Sequence, residues 1–169
     1  MRTLAPYKMN WNKVILLTGS NQGNPRLQLS QACRNIATNM GDVVAVSQLH
    51  RTQAWGNTDQ QAFLNQAIEI RTPFSPLMCL QKALAIEKSM GRTRNIKWEP
   101  RVIDIDIIFY NSQVINMPQL KVPHPHVQDR KFALACLAQI IPGYRHPVLG
   151  KSMKNLLAIT PDTLEAVAI

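Results

Sequence analysis

The sequence predicts an α+β fold of the ferredoxin-like, split βαβ type. Three observations carry that expectation: an uninterrupted apolar run near the start, two helix starts of the same cap-then-proline form, and the order strand, helix, strand, strand, helix, strand that they frame. The chain has 169 residues, 46% hydrophobic and 17% charged, so one compact domain with a real core is expected and a disordered or low-complexity chain is excluded.

Residues 13–19 (KVILLTG) form a continuous apolar run ending in glycine, the pattern of a strand buried on both faces. Asn24 is a good N-cap and Pro25 a good first helical residue. Leu29, Ala32, Cys33, Ile36, Ala37 and Met40 then recur at helical spacing up to Gly41. Residues 42–51, with Val43, Val44 and Val46, and residues 62–71, with Leu64, Ile68 and Ile70, read as strands. Ser75 and Pro76 repeat the helix start, and Cys79, Leu80, Ala83, Leu84, Ile86 and Met90 give the second helix its apolar face. A strand over 102–110 follows, with a turn at Asn111-Ser112 and a partner strand near 114–117 in a hairpin. Three prolines make 118–130 an irregular loop, and helical spacing returns at Phe132 to Gln139 and over 152–158. Residues 1–12 are expected to be a loosely ordered leader in which Met9 is an alternative start, 13–160 a single domain, and 161–169 a C-terminal tail.

The 19 Lys and Arg against 10 Asp and Glu give a formal charge of +9, which calls for an anionic partner without choosing among nucleic acid, nucleotide and membrane surface. No apolar stretch reaches the roughly 20 residues of a membrane helix. The three cysteines contain no CxxC pair and suit small buried groups in a reducing cytoplasm.

The chemistry concentrates in Arg101-Val102-Ile103-Asp104-Ile105-Asp106-Ile107-Ile108. On a strand, Asp104 and Asp106 project from one face and Ile103, Ile105 and Ile107 from the other. Two carboxylates with Cα atoms about 6.6 Å apart repel each other and lose solvation unless a cation compensates. Magnesium does this well, since it takes carboxylate oxygens and completes its shell with water and nucleotide phosphate. The alternative is the solvated face of a half-exposed strand. Upstream, Lys88, Arg92, Arg94, Lys97 and Arg101 surround Gly91, and guanidinium forks suit phosphate; the alternative is an ordinary solvated basic loop. The chain has neither a Walker loop nor a dinucleotide fingerprint, so side chains and metal must hold any phosphates.

Glu87 lies at or inside the apolar face of the second helix, where an acid wants a partner: an arginine, a ligand, or solvent at the edge. His124 and His126 lack zinc spacing and a third ligand, and suit phosphate contact better than metal. Trp55, Phe63, Trp98 and Phe132 lie in or beside loops, where a planar ligand can stack; each also suits a core.

An ordered set of motifs now resembles one family. Residues 97–108, KWEPRVIDIDII, resemble the signature of the 6-hydroxymethyl-7,8-dihydropterin pyrophosphokinases of folate biosynthesis. Gly19-Ser20-Asn21, Arg51-Thr52, Phe63-Leu64-Asn65, Glu87 with Gly91-Arg92-Thr93-Arg94, Val122-Pro123-His124 and Arg130-Lys131-Phe132 match the family in order. The resemblance implies a ferredoxin-like αβα sandwich with a mostly antiparallel central sheet. It implies a transferase that moves the β,γ-diphosphate of ATP to the pterin hydroxymethyl oxygen and releases AMP, acting as a cytoplasmic monomer without nucleic-acid or membrane partners. Residue by residue, it implies that Asp104 and Asp106 hold two Mg2+ ions and that Arg92 and Arg94 act from a mobile catalytic loop. Glu87, Trp98, Arg101, Ile107, His124 and Arg130 join the arginines in contacting ATP. Thr52, Gln53, Trp55, Phe63, Asn65, Trp98 and Phe132 would form the pterin pocket. The sequence departs from the family at Glu99, where a small residue is usual, at Gln53-Ala54-Trp55 and at Pro125.

Two other readings compete. An RNA-binding domain of similar topology explains the charge but displays aromatics on its central strands where this chain has Asp104 and Asp106. A two-metal nucleotidyl transferase or cyclase shares the acidic pair and differs in releasing pyrophosphate instead of AMP.

Overall fold

The apolar run near the start becomes an inner strand, β1 (Asn12–Ser20), in the computed structural model, which describes residues 10–53, 61–92 and 101–169. Around it lie α1 (Pro25–Asn39), β2 (Asp42–Val46), β3 (His50–Thr52), β4 (Phe63–Thr72), α2 (Pro76–Ser89) and β5 (Asp104–Tyr110). After them come β6 (Ile115–Asn116), β7 (Lys121–Val122), α3 (Lys131–Ile140), α4 (Met153–Ile159) and β8 (Ala166–Ala168). The main sheet has the order β5-β1-β4-β3-β8 with β2 also on β4, and every pairing is antiparallel. This is the expected α+β sandwich.

Alternation along β1 divides the core in two. Val14 and Leu16 are buried with Ile36 of α1 and Ala83 of α2, whereas Ile15 and Leu17 are buried with Leu134 and Leu137 of α3 and Leu156 of α4. A helical layer therefore covers each face, which is why β1 has no polar side to show. Asn24 and Ser75 cap as expected, accepting from the Leu27 amide at 3.2 Å and the Met78 amide at 3.4 Å; Ser152 does the same for Asn155 at 3.2 Å. Cys79 and Cys136 are buried, Cys33 is half-buried, and all three are free thiols.

Three local expectations need correction. Residues 42–51 are not one strand: at Ser47 the hydroxyl accepts from the Ala67 amide (3.0 Å) while the Gln66 side chain donates to the Ser47 carbonyl (2.9 Å), so the chain jogs and β2 and β3 pair with β4 separately. The expected hairpin between residues 102–110 and 114–117 does not form; β6 pairs with β7. Asn111, at φ 48°, ties itself to β1 by donating its amide to the Lys13 carbonyl (2.7 Å) and accepting from the Lys13 amide (2.8 Å). The outer edge of β5 is taken instead by the His124 amide, which donates to Ile108 at 3.1 Å. Finally, the expected tail at 161–169 contains β8, which extends the sheet by pairing Thr52 with Ala166.

Candidate active site

Strand register gathers the site. Gly19 lies opposite Asn65 on one side and Asp104 on the other, Leu17 opposite Asp106, and Thr52 opposite Phe63. The ends of four strands thus meet, and the start of α3 adds Arg130 and Phe132 to a cleft of about 380 Å³. One half is walled by Thr52, Gln53, Phe63, Asn65 and Phe132; the other carries Arg101, Asp104, Asp106 and Arg130.

In the first half, buried Asn65 donates from Nδ2 to the Thr52 hydroxyl at 3.0 Å, which fixes its carboxamide in a cleft that Phe63 and Phe132 also line. Gly19 makes that placement possible. A Cβ there would stand 2.9 Å from Asn65 Oδ1, closer than side chains tolerate, so the residue is small because of a close approach.

In the second half, Arg92 Nη1 lies 2.6 Å from Asp104 Oδ1, and Arg101 Nη1 donates to Asp104 Oδ2. Burial works against ionisation of Asp104, but these two guanidiniums outweigh it and hold the carboxyl below its ordinary range. Asp106 behaves oppositely: burial first, and the neighbouring Asp104 charge second, push it up to about 7. Its nearest described cationic candidate is His124, whose Nε2 is 3.9 Å from Asp106 Oδ2. His124 Nδ1 accepts from the His126 amide at 3.3 Å, so Nε2 carries the hydrogen toward Asp106; burial, then Arg130 and His126, lower this imidazole to about 4.

Glu87 is buried at 2% exposure, and its Oε1 accepts from the Ile105 amide at 2.8 Å while standing 2.6 Å from Arg92 Nη1. The acid on the apolar helix face therefore fastens α2 to the outer edge of β5 and holds Arg92 beside Asp104. A second clamp comes from Asn21, whose Oδ1 accepts from the Arg101 amide at 2.7 Å while its own amide donates to the Arg101 carbonyl at 3.1 Å. The Gly19-Ser20-Asn21 motif thus positions Asn65 and Arg101.

Of the expected site residues, Thr52, Gln53, Phe63, Asn65, Arg101, Asp104, Asp106, Arg130 and Phe132 line this cleft; Arg92, Glu87 and His124 reach it through Asp104 and Asp106. Ile107 stands on β5 beside the cleft without lining it. Its side chain leaves β5 on the face opposite Asp106 and is buried with Ile105 in the core beneath α1 and α2, so only its backbone can meet a ligand. Arg94, Trp55 and Trp98 lie outside the described residues. Leu17, Gly19, His126 and Asp129 also line the cleft and were not expected there, although Gly19 stood in a noted motif and His126 beside His124.

Among the described residues no cluster of three His, Cys, Asp or Glu side chains can hold a metal ion. A cation at Asp104 and Asp106 has two protein carboxylates, and both Asp104 oxygens already receive guanidinium donors. The fit is that of an ion arriving with its own oxygen ligands, consistent with the hard, water- and phosphate-rich shell of Mg2+.

Fold and cleft together define an antiparallel α+β sandwich that sets a cluster of acidic and basic side chains beside a pocket lined by Thr52, Asn65, Phe63 and Phe132. The profile of the 7,8-dihydro-6-hydroxymethylpterin-pyrophosphokinase family matches residues 15–142, and the chain belongs to that family. It is similar to the 2-amino-4-hydroxy-6-hydroxymethyldihydropteridine pyrophosphokinases of Methylorubrum extorquens (39% identical, covering 88% of this chain and 94% of the relative) and Pseudomonas aeruginosa (38%, covering 88% and 92%). The corresponding protein of Bacillus subtilis is 39% identical over 76% of this chain and 78% of its own. Among solved structures, a Plasmodium falciparum HPPK-DHPS chain superimposes with a TM-score of 0.71 at 18% identity; the match covers 90% of this chain and 45% of that longer one, and speaks to fold alone. No helix among the described residues is long and apolar enough to cross a membrane.

Proposed function

We propose that this chain transfers the β,γ-diphosphate of ATP to the hydroxymethyl oxygen of 6-hydroxymethyl-7,8-dihydropterin and releases AMP, in folate biosynthesis. The observation that carries the proposal is one cleft in which an acidic pair with guanidiniums adjoins a pocket lined by Asn65, Thr52, Phe63 and Phe132, in a member of this family. The hydroxymethyl oxygen bonds to the β-phosphorus, the bond from that phosphorus to the α,β-bridging oxygen breaks, AMP leaves with the bridging oxygen, and the hydroxyl proton passes to solvent.

Phosphoryl chemistry of this kind depends on alignment and charge neutralisation more than on a strong base. Phe63 and Phe132 would stack the bicyclic ring, and the Asn65 carboxamide would read its polar edge. Arg101 and Arg130 would hold phosphate oxygens. Arg92, now between Glu87 and Asp104, would exchange carboxylate for phosphate and, with Arg94, stabilise charge developing in the transition state. Two Mg2+ ions held by Asp104 and Asp106 would neutralise the polyphosphate when bound. A monomeric cytoplasmic enzyme, its single domain carried on from the expected 13–160 to include β8, belongs to the same proposal.

The test is AMP formation from ATP, magnesium and the dihydropterin. Pyrophosphate release without AMP would replace the proposal with nucleotidyl transfer.

A further inference from the structure

The start of α3 breaks the rule that the other helices keep. Asn24, Ser75 and Ser152 cap their own helices, but the N-cap position of α3 is Arg130, whose side chain makes no capping bond and lines the cleft. A helix whose cap residue is used elsewhere leaves its first amides needing acceptors. The acceptor comes from the far end of the chain. Asp162 Oδ2 accepts from the Lys131 amide at 2.8 Å across 31 residues, and Asp162 Oδ1 accepts from the Leu164 amide at 3.0 Å. One carboxylate therefore joins the first residue of α3 to the segment leading into β8.

That segment is anchored at its far end on β3. β8 pairs with β3 from Thr52↔Ala166 to His50↔Ala168, and the Ile169 amide donates to the Leu49 carbonyl at 2.9 Å. Lys131 sits between Arg130 and Phe132, which face the cleft from α3, while Thr52 faces it from β3. Residues 162–169 thus join two elements that both line the cleft.

We infer that Asp162 is a positioning residue for substrate binding: through the Lys131 amide it sets where Arg130 and Phe132 stand relative to Thr52 and Asn65. The inference rests on the reading of the cleft given above. The carboxylate also places negative charge at the positive end of α3, beside an arginine that the cleft needs directed inward. A local Asp or Ser at 130 would cap equally well and would remove that arginine, so the capping group is supplied from outside the helix.

The test compares Asp162→Ala with Ser152→Ala, which removes a cap of the same kind from α4, away from the cleft. With a nonhydrolysable ATP analogue present, calorimetry on Asp162→Ala should show hydroxymethyl-dihydropterin binding weakened about tenfold, and kcat/KM lowered at least as much through both KM values, as small misplacements of binding groups cost. Ser152→Ala should stay within about twofold of wild type in both readouts at a temperature where both variants are folded. Amide hydrogen exchange at Lys131 and Phe132 should accelerate in Asp162→Ala alone. Equal losses in the two variants would reduce the effect to general destabilisation and overturn the inference, as would unchanged binding or unchanged exchange in Asp162→Ala. If Asp162→Ala does not fold, Asp162→Asn decides by the same measurements: its single carbonyl oxygen cannot serve both amides, and wild-type binding in that variant would overturn the inference. A wild-type chain that binds neither substrate would remove the proposed function and this inference with it, whereas a normal wild type beside a normal Asp162→Ala removes the inference alone.

Discussion

Replacing Glu87 with alanine cuts the joint between α2 and the edge strand that carries both aspartates. Glu87 Oε1 is 2.8 Å from the Ile105 amide and 2.6 Å from Arg92, at 2% exposure, so water cannot replace it without a rearrangement. A hydrogen bond to a charged acceptor contributes about 1.5–3 kcal/mol, and removing one partner of a buried ion pair costs about 3–5 kcal/mol. Arg92 keeps Asp104 as a partner, which offsets part of the second cost and sets the expected loss near 3 kcal/mol. In a domain of this size each kcal/mol moves Tm by about 2–4 °C, so Glu87→Ala should melt roughly 6–12 °C below wild type. Glu87→Gln retains an acceptor for Ile105 and should lose only about 1 kcal/mol, while turnover falls further than stability because Arg92 loses an anchor. Thermal and urea unfolding followed by circular dichroism measure both. An alanine variant within about 0.5 kcal/mol of wild type, well inside the range of neutral surface changes, would refute the reasoning.

Asp106→Ala should fold normally and lose AMP formation by at least about a hundredfold, as removal of a group that stabilises developing charge does; near wild-type turnover with magnesium present would count against the metal assignment. Gly19→Ala should weaken pterin binding about tenfold while leaving Tm within a few degrees, since the added methyl crowds the Asn65 carboxamide at 2.9 Å and meets the Leu64 carbonyl only at an ordinary contact distance of 3.9 Å; titration calorimetry reads this directly. Burial lowers the imidazoles of His50 and His146 below their ordinary value of 6.5. The unfolded chain then binds protons that the folded chain refuses, so their contribution is whole above pH 6.5 and is lost as pH falls from there toward the lowered values. Because Asp106, raised to about 7, gains stability over the same fall in pH, the histidines are read one by one: NMR titration of each folded imidazole should give a midpoint below 6.5, and a ring titrating at or above 6.5 would contradict the assignment.

What could be read in advance was local. Asn24-Pro25 and Ser75-Pro76 carry their helix starts within four residues, and the alternation of Asp104 and Asp106 with isoleucines fixes their common face wherever the strand lies. What escaped depends on partners far along the chain. Nothing near Ser47 announces that Ala67 will claim its hydroxyl, nor does any pattern around Asn111 show that Lys13 will turn it away from a hairpin. Within the cleft, the side chains were legible because their chemistry is unusual: paired acids, clustered guanidiniums, rings beside loops. Their supports were not, since Asn21 on Arg101 and Asp162 on Lys131 are ordinary polar residues whose role exists only across 80 and 31 positions of sequence.

The two-sided burial of β1 has a consequence for how this chain tolerates change. With Val14 and Leu16 committed to one helical layer and Ile15 and Leu17 to the other, deleting one residue from the strand would send each side chain into the wrong layer and carry Gly19 out of register with Asn65. Length variation among descendants of this chain should therefore collect outside β1, whose residue count is constrained at once by two packed interiors and by the cleft at its end.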